Sequence, residues 1–117
     1  RLVYHGTQED GWQQLQQGGL HASGLHLTSA KDNALYYATR NPQAQRARPV
    51  LLVFDLNALQ RQGTLSLDEP TLWEDHPERM RDGGACEMNW REGLRLTANC
   101  VYSGPLKAAL VRVEYPR

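Results

Sequence analysis

Two histidines and a pair of tyrosines near the start of the chain are the residues best suited to chemistry. The motif His5-Gly6-Thr7 comes first, His26 follows in a second short segment, and Tyr36-Tyr37 comes shortly after. An imidazole can form a hydrogen bond with a hydroxyl group, and a phenol ring offers a flat surface for stacking. Glycine lets the backbone approach a ligand closely. These residue types suit a binding site, provided that the fold brings them together.

Hydrophobic periodicity places the first motif between a strand and a helix. Leu2-Val3-Tyr4 has the pattern of a short strand that enters the His5-Gly6-Thr7 turn. Thr7 is a predicted N-cap for the next helix, whose first turn carries Glu9 and Asp10 near the positive end of the helix dipole. Gly18-Gly19 is expected to end this helix.

The second histidine and the tyrosines fall on a strand and a helix. Two leucines alternate with His26 and Thr28, so we expect the leucines on one face of the strand and His26 with Thr28 on the other. Ser29 is then a predicted N-cap for a helix that runs from Ala30 to about Thr39. Adjacent helical residues point about 100° apart, so only one of the two tyrosines is expected to face a given pocket.

The rest of the chain mixes strands and short helices without a repeat. Val50 to Leu56 is apolar on both faces and is therefore expected in the interior of a sheet. Gln60 to Gly84 is expected to be irregular apart from a strand near Thr64 to Leu67. Trp73 is the residue expected to anchor this segment to the core. The end of the chain predicts a short helix with Trp90 and Leu94, a strand Asn99 to Ser103, a turn at Gly104-Pro105 and a strand Ala109 to Glu114. We therefore expect an α+β fold with mainly antiparallel pairing.

Composition and charge favour some classes of partner and site over others. With 117 residues the chain can enclose one core, so we expect a single domain over residues 1–117. Its 13 basic and 13 acidic residues cancel, which gives no sign of a strongly electrostatic partner such as duplex DNA or an anionic membrane. The longest apolar run is far shorter than the roughly 20 residues of a membrane span. Cys86 and Cys100 cannot form a disulfide framework or a four-ligand zinc site, and free thiols are favoured over a pair.

In their order and spacing, these motifs resemble the NAD-binding half of the ADP-ribosyltransferase superfamily. In its poly(ADP-ribose) polymerase and diphtheria-toxin branch, the first strand leads into His-Gly-Ser or His-Gly-Thr. A helix ending in Gly-Leu, a strand, and a helix ending in aromatic and small residues follow. The matching segments here are His5-Gly6-Thr7, Gly19-Leu20, Leu25-His26-Leu27 and Tyr36-Tyr37-Ala38. The strand histidine also resembles the tRNA 2′-phosphotransferase branch. The resemblance is good up to Leu56 and loose over the last strands, and it implies a split antiparallel sheet with short flanking helices.

The resemblance implies that NAD is the substrate and that no metal takes part. In the family, the histidine hydrogen-bonds to the adenosine-side ribose, and the glycine backbone hydrogen-bonds to the nicotinamide amide. His26 occupies the position of a tyrosine that stacks on nicotinamide, and Tyr37 matches a second stacking tyrosine, with Tyr36 as the competing assignment. The NAD-binding residues implied in this way are His5, Gly6, Thr7, His26, Thr28 and Tyr37.

A residue on a late strand completes the implied catalytic set. Family members carry a glutamate there, which bonds the nicotinamide ribose and polarises it for attack. Aligning the end of the chain with the family's last hairpin puts Ala98 or Asn99 at this position. Asn99 can hydrogen-bond a ribose but cannot supply negative charge, and Glu87 and Glu92 are the alternatives. The expected catalytic residues are His5, His26, Tyr37 and Asn99. Candidate contacts for a pyrophosphate or the acceptor are Arg40, Arg46 and Arg48.

The function implied by the resemblance is NAD-dependent transfer of ADP-ribose to a macromolecule, protein or nucleic acid, with release of nicotinamide. The compact form resembles bacterial toxin domains, which implies an antitoxin or immunity protein and action in the cytoplasm, in the host cell or after secretion into a target. The start at Arg1 suggests a domain of a longer protein. One alternative is an RNA 2′-phosphotransferase, disfavoured because Glu9 and Asp10 occupy a region where a basic residue is expected. The other is an inactive NAD-binding, ADP-ribose-binding or interaction module.

Overall fold

The computed structural model describes residues 1–40, 47–80 and 88–117, which form six strands and five α-helices. The strands are β1 (Leu2–Gln8), β2 (His21–Thr28), β3 (Pro49–Asp55), β4 (Thr64–Ser66), β5 (Asn99–Pro105) and β6 (Leu110–Glu114). The helices are α1 (Glu9–Gln17), α2 (Lys31–Thr39), α3 (Leu56–Gln62), α4 (Glu69–Asp75) and α5 (Trp90–Thr97), with 3-10 turns at Pro77–Arg79 and Lys107–Ala109. Among these residues, no helix has both the length and the apolar character needed to cross a bilayer.

The six described strands form one sheet in the order β4-β5-β2-β1-β3-β6. Each neighbouring pair is antiparallel, so the predicted α+β class with antiparallel pairing is confirmed. The apolar strand β3 lies between β1 and β6, and its residues Val50 to Phe54 are buried on both faces. Its interior position agrees with the prediction from its continuous hydrophobic run.

The last two strands, both described in full, do not form the expected hairpin. β5 lies between β4 and β2, whereas β6 lies at one edge of the sheet beside β3. After β5 the buried Leu106 donates its N–H to the Leu20 carbonyl at 2.8 Å, which draws the chain away from β5. The 3-10 turn then leads into β6. Gly104-Pro105 is therefore the end of a strand and not a hairpin turn.

The two faces of the sheet are covered by different helices. Helices α1, α3 and α5 contribute Trp12, Leu59 and Leu94 to the main core on one face. On the other face, Ala34 of α2 packs against two side chains of β3. The sheet residues of the main core include Val3, Leu27, Val50, Leu52, Phe54, Cys100 and Tyr102. The face that carries α2 is thus covered by a single described helix over β1 and β3.

Helix α2 approaches β1 closely at Gly6. A Cβ atom on Gly6 would overlap the Ala34 carbonyl group and would lie 3.1 Å from the Ala38 amide nitrogen. Ala34 and Ala38 are both buried. The side-chain amide of Gln8 also donates to the Tyr37 carbonyl at 3.0 Å, near the end of the helix. Backbone contact with β1 therefore sets the position of α2.

The pairing between β1 and β2 is short. β1 pairs with β3 along its whole length. Among the described residues, β1 pairs with β2 only at Tyr4 opposite Thr28. β2 continues the sheet on its other side by pairing with β5 from His21 to Thr28, with a bulge after Ala22. The backbone ladder between these two central strands therefore ends beside His5.

Two predicted N-caps are wrong. β1 continues to Gln8 because it pairs with β3 up to that residue, so Thr7 is in the strand and does not cap α1. Ser29 does not cap α2 either, because Ala30 is the last residue before the helix. The hydroxyl of Thr28 accepts the Ala30 N–H at 3.1 Å and stabilises the entry into α2 instead.

The segment expected to be irregular contains the last turn of α3 and the whole of α4. α3 ends at Gln62 and α4 follows the predicted strand, which is confirmed as β4. α4 begins after Asp68, whose Oδ1 atom accepts the Thr71 N–H at 3.3 Å. Trp73 is not an anchor, since 44% of its surface is exposed and Leu72 is buried in its place. These helices have seven residues each, too short for the hydrophobic period to stand out. Residues 81–84 lie outside the described part.

Other local predictions are confirmed. α5 contains Trp90 and the buried Leu94, as expected. α1 ends at Gln17, with Gly18 as its C-cap. On β2, Leu27 and His26 lie on opposite faces, as the alternation of leucines and polar residues predicts, and the structure places Leu27 in the core and His26 on the exposed side.

Candidate functional site

A cleft of about 740 Å³ lies beside the short ladder between β1 and β2. Ligand sites commonly measure about 300–1,000 Å³. Its wall is formed by β1, β2, α2, α4 and the start of β5. The predicted site residues that line it are His5, Gly6, His26, Thr28, Tyr37 and Asn99, together with the alternative Tyr36. The fold therefore brings together residues from both ends of the chain.

His5 is held between the two central strands. Its Nδ1 atom lies 2.6 Å from the backbone carbonyl of His26. A carbonyl only accepts hydrogen bonds, so Nδ1 carries the proton and Nε2 has the free lone pair when the ring is neutral. Burial lowers the pKa of His5 from its usual value of 6.5, against the opposing effect of the hydrogen bond to His26. Near neutral pH, His5 is thus a hydrogen-bond acceptor at Nε2.

His26 is the more exposed of the two histidines. Its side chain is 65% exposed, on the face of β2 opposite to the buried Leu27. Its Nδ1 atom lies 3.4 Å from Oδ2 of Asp68, whose side chain is only 7% exposed. An imidazole with one nitrogen on a carboxylate has its other nitrogen free for a ligand.

Thr28 lines the cleft, but its hydroxyl also has a structural partner. Its Oγ1 atom accepts the Ala30 N–H, as described above. Thr28 is buried and lies opposite Asn99 across the β2–β5 pair. Its hydroxyl proton is still available to donate to a ligand. Thr28 therefore combines a place in the cleft wall with support for the start of α2.

Gly6 has a structural requirement that the sequence does not reveal. We expect a glycine here because a ligand amide needs close access to the backbone. The position of the missing Cβ is instead filled by the backbone of α2 at Ala34. Close packing of helix on strand explains the residue without a ligand, although Gly6 still lines the cleft.

Both tyrosines line the cleft, contrary to the expectation that only one could. Tyr36 and Tyr37 are 51% and 56% exposed, so neither is part of the core. Their ring centroids are 5.8 Å apart, with planes at 82° in an edge-to-face arrangement. The helix turns the two Cα–Cβ bonds apart, but the rings are long enough to reach the same opening from two sides. The cleft thus has two aromatic surfaces at right angles to each other.

Asn99 occupies the first position of β5 and lines the cleft. Glu92, one alternative for a carboxylate at this site, lies in the first turn of α5 and is exposed outside the cleft. Glu87, the other alternative, is outside the described residues. Of the three candidates, the described cleft therefore contains Asn99.

The other predicted contacts lie away from the cleft. The side chain of Thr7 contacts Gly11 at the start of α1. The guanidinium of Arg48 lies 4.0 Å from the centre of the Tyr115 ring, a cation–π contact. Arg40 is the C-cap of α2 and is exposed. None of these three lines the described cleft. Arg46 is outside the described residues.

Sequence reasoning missed the carboxylates of the cleft. Asp68 is 5% exposed and lies at its floor, and Glu74 and Asp75 of α4 contribute to its wall. The run Asp68-Glu69-Pro70 has the signature of a helix start, an N-cap followed by proline in the first turn. The sequence therefore contains a signal for the start of α4. It contains no signal for the contact of Asp68 with His26, because that contact depends on the pairing of β4, β5 and β2.

Cysteine thiols and metal-ligating side chains are two other sources of catalytic chemistry. Cys100 is a free, buried thiol, and burial raises its pKa to about 11, which makes it a poor nucleophile. Cys86, its potential partner, is outside the described residues. Within the described ranges, no three His, Cys, Asp or Glu side chains are grouped so that they could hold a metal ion.

Comparisons of the chain with protein-family models, with curated proteins and with solved structures find no match. The case for a function therefore rests on the residues of the cleft and their geometry.

Proposed function

We propose that this chain is a NAD-dependent ADP-ribosyltransferase, which releases nicotinamide and transfers ADP-ribose to a macromolecular acceptor, protein or nucleic acid. The observation that carries the proposal is the convergence of His5, His26, Tyr37 and Asn99 on one cleft. Residues that share a ligand must meet in space, whereas residues matched by chance along a sequence have no reason to. These four come from β1, β2, α2 and β5.

A split sheet of the ADP-ribosyltransferase kind is part of the proposal. Its support is the ladder between β1 and β2, which is limited to Tyr4 opposite Thr28 in the described residues. The cleft lies beside this junction and includes both residues. In the proposed complex, the nicotinamide end of NAD enters at this point.

The side chains of the cleft suit the parts of NAD that would meet there. His5 offers Nε2 as an acceptor for a ribose hydroxyl, because its Nδ1 is bound to the His26 carbonyl. Tyr36 and Tyr37 offer ring surfaces for the nicotinamide. The Asn99 amide can both donate to and accept from a ribose hydroxyl.

The proposed reaction demands little covalent chemistry from the protein. The bond from ribose C1′ to nicotinamide breaks with its electron pair going to the ring, so a cationic group leaves as a neutral molecule. Positive charge then develops on the ribose. Glu74 and Asp75 line the cleft and supply negative potential that stabilises such a charge. Orientation of NAD by His5 and the tyrosines supplies the rest.

The carboxylates disfavour the RNA 2′-phosphotransferase alternative. That reaction requires an RNA 2′-phosphate in the cleft in addition to the pyrophosphate of NAD, and the described lining contains acidic side chains and neither lysine nor arginine. Phosphate groups are normally bound by basic side chains or by backbone N–H groups. The bacterial toxin context, an antitoxin or immunity protein and action in the cytoplasm rest on the family resemblance and belong to the same proposal.

Release of nicotinamide from NAD by the purified protein tests the proposed function. The assay is run with and without cell lysate, on the wild type, on His5→Ala and on His21→Ala. His21 is the matched control, since it is an exposed histidine on β2 outside the cleft. We expect release by the wild type and by His21→Ala, and its loss in His5→Ala.

The products distinguish the acceptor. Release that requires lysate, with ADP-ribose attached to a lysate component, identifies a transferase. Release without lysate points to water or to the protein itself as the acceptor. If the wild type binds NAD in calorimetry but releases no nicotinamide, the chain is an inactive binding module. Absence of both binding and release overturns the NAD proposal.

A further inference from the structure

His26 and Asp68 form an imidazole–carboxylate pair at the floor of the cleft. The 3.4 Å contact joins Nδ1 of His26 on β2 to Oδ2 of Asp68, the residue before α4. β5 lies between the strands that lead to them, with Val101 opposite His26 on one side and Ser66 on the other. The two residues after Ser66 bring the chain to the cleft. The order of the strands in the sheet therefore brings His26 and Asp68 together.

The two oxygens of Asp68 have separate partners. Oδ1 accepts the Thr71 N–H and caps α4, while Oδ2 faces His26. This arrangement fixes the rotamer of a side chain that is almost fully buried. A carboxylate accepts hydrogen bonds, so it favours the His26 tautomer with the proton on Nδ1 and leaves a lone pair on Nε2. The ring of His26 is largely exposed and lines the cleft, so this nitrogen is accessible to a ligand.

We propose that His26 is the general base for the acceptor and that Asp68 is the residue that positions it. This inference rests on the proposed transferase function. The acceptor is a neutral group that carries a proton, such as a hydroxyl. Its oxygen forms a bond to ribose C1′ as the bond to nicotinamide breaks, and its proton passes to Nε2 of His26. Nicotinamide leaves neutral, so the positive charge of NAD ends on the imidazolium, where Asp68 stabilises it.

This arrangement resembles the logic of hydrolase triads, in which a carboxylate orients the imidazole that takes a proton. Asn99 cannot perform either task, since an amide neither accepts a proton near neutral pH nor carries charge. His5 is less suited as the base, because the partner of its Nδ1 atom is a neutral backbone carbonyl, which stabilises an imidazolium less than a carboxylate does. Compared with His5 and Asn99, His26 is therefore the group better placed to accept the proton.

The test compares two pairs of variants by steady-state nicotinamide release. Asp68→Asn removes the charge but keeps an oxygen able to cap α4. Its matched control is Asp55→Asn, because Asp55 caps α3 in the same way, accepting the Ala58 N–H at 3.2 Å, outside the cleft. His26→Ala is matched by His21→Ala on the same strand. Thermal unfolding of each variant verifies that it is folded.

We expect kcat to fall by about 10²-fold or more in Asp68→Asn and in His26→Ala, because positioned acid–base groups contribute about 10²–10⁴-fold. The control variants keep the wild-type rate. The KM for NAD changes much less than kcat in all four. An effect limited to KM would show that the pair binds NAD and does not move a proton.

Azide supplies the decisive readout, because this anion attacks C1′ without a proton to lose. We expect sodium azide to restore nicotinamide release in Asp68→Asn and His26→Ala, with ADP-ribosyl azide as the product, and to have little effect on the wild type. A slow variant that azide does not rescue contradicts the base assignment. Equal rates for Asp68→Asn and Asp55→Asn contradict the role of Asp68. A wild type without nicotinamide release removes the proposed function and this inference together, whereas an active wild type with insensitive variants removes only the inference.

Discussion

The Nδ1 atom of His5 lies 2.6 Å from the backbone carbonyl of His26, so a side chain connects the central strands where their backbone ladder stops. The contact uses the main chain of His26 and leaves its imidazole free to reach Asp68. Replacing the His26 side chain therefore keeps the partner of His5. The roles of the two histidines can for this reason be separated by mutation.

Protonation of His5 makes the stability of the protein depend on pH. Its folded-state pKa is below the usual 6.5, chiefly because the ring is buried. Between that lower pKa and pH 6.5, the unfolded chain binds a proton that the folded chain does not. The free energy of unfolding therefore falls as pH decreases through this window, by at most about 1.4 kcal/mol per pH unit for one proton.

Urea unfolding at several pH values between 5 and 8 measures this dependence. We expect His5→Gln to have a smaller slope than the wild type below pH 6.5, whatever its absolute stability. His21→Gln, a change at an exposed histidine, keeps the wild-type slope. Identical slopes for the wild type and His5→Gln would show that His5 is protonated equally in both states.

Gly6→Ala is expected to destabilise the fold strongly. The new methyl group would overlap the Ala34 carbonyl, which belongs to the helix backbone and cannot rotate away. Overpacking of this kind costs about 1–3 kcal/mol or more. Gly18→Ala is the control, because the nearest atom to its Cβ would be 3.4 Å away and its backbone is not left-handed. A Gly6→Ala protein with a wild-type melting temperature would contradict the close packing of α2 on β1.

Both Tyr36→Ala and Tyr37→Ala are expected to weaken NAD binding without a large change in stability. Both rings line the cleft and about half of each is exposed, so few core contacts are lost. A loss of one stacked ring corresponds to a roughly tenfold increase in Kd, or about 1.4 kcal/mol. Tyr115→Ala, at an exposed tyrosine outside the cleft, is the calorimetric control. If only one cleft variant binds more weakly, only that ring contacts the ligand.

Cys100 is expected to resist thiol reagents in the folded protein. Its side chain is completely buried in the main core, so a reagent cannot reach the sulfur atom. Its pKa is raised to about 11, so little of the thiol is ionised to the reactive thiolate near pH 8. Iodoacetamide treatment followed by mass spectrometry of the Cys100 peptide measures this directly. We expect rapid alkylation only after denaturant is added. Fast alkylation under native conditions would show that β5 opens readily.

Short-range patterns in the sequence predict much of the fold. The alternation around Leu27 predicts the faces of β2, and the continuous apolar run predicts the interior position of β3. The predicted hairpin of the last two strands is wrong for a physical reason. Gly104-Pro105 is a good local turn signal, but the edge that receives β6 depends on the burial of Leu106 and its contact with Leu20. No local rule contains that contact.

The candidate site shows the same division. The motif residues His5, His26 and Tyr37 were found from their types and order, and they share one cleft. Asp68 was missed, since its contact with His26 arises only when β4 pairs with β5 and β5 with β2. Gly6 was assigned to a ligand, whereas the backbone of α2 already explains it.

The contact of helix backbone with strand backbone at Gly6 also fixes one wall of the cleft, α2, relative to β1. A wall whose position is set by main-chain contact stays in place when the side chains on it rotate or are exchanged. Tyr36 and Tyr37 can therefore be altered to change which surface a ligand meets, while the distance from α2 to His5 stays constant. The chemical character of this wall can thus be varied without moving the helix that carries it.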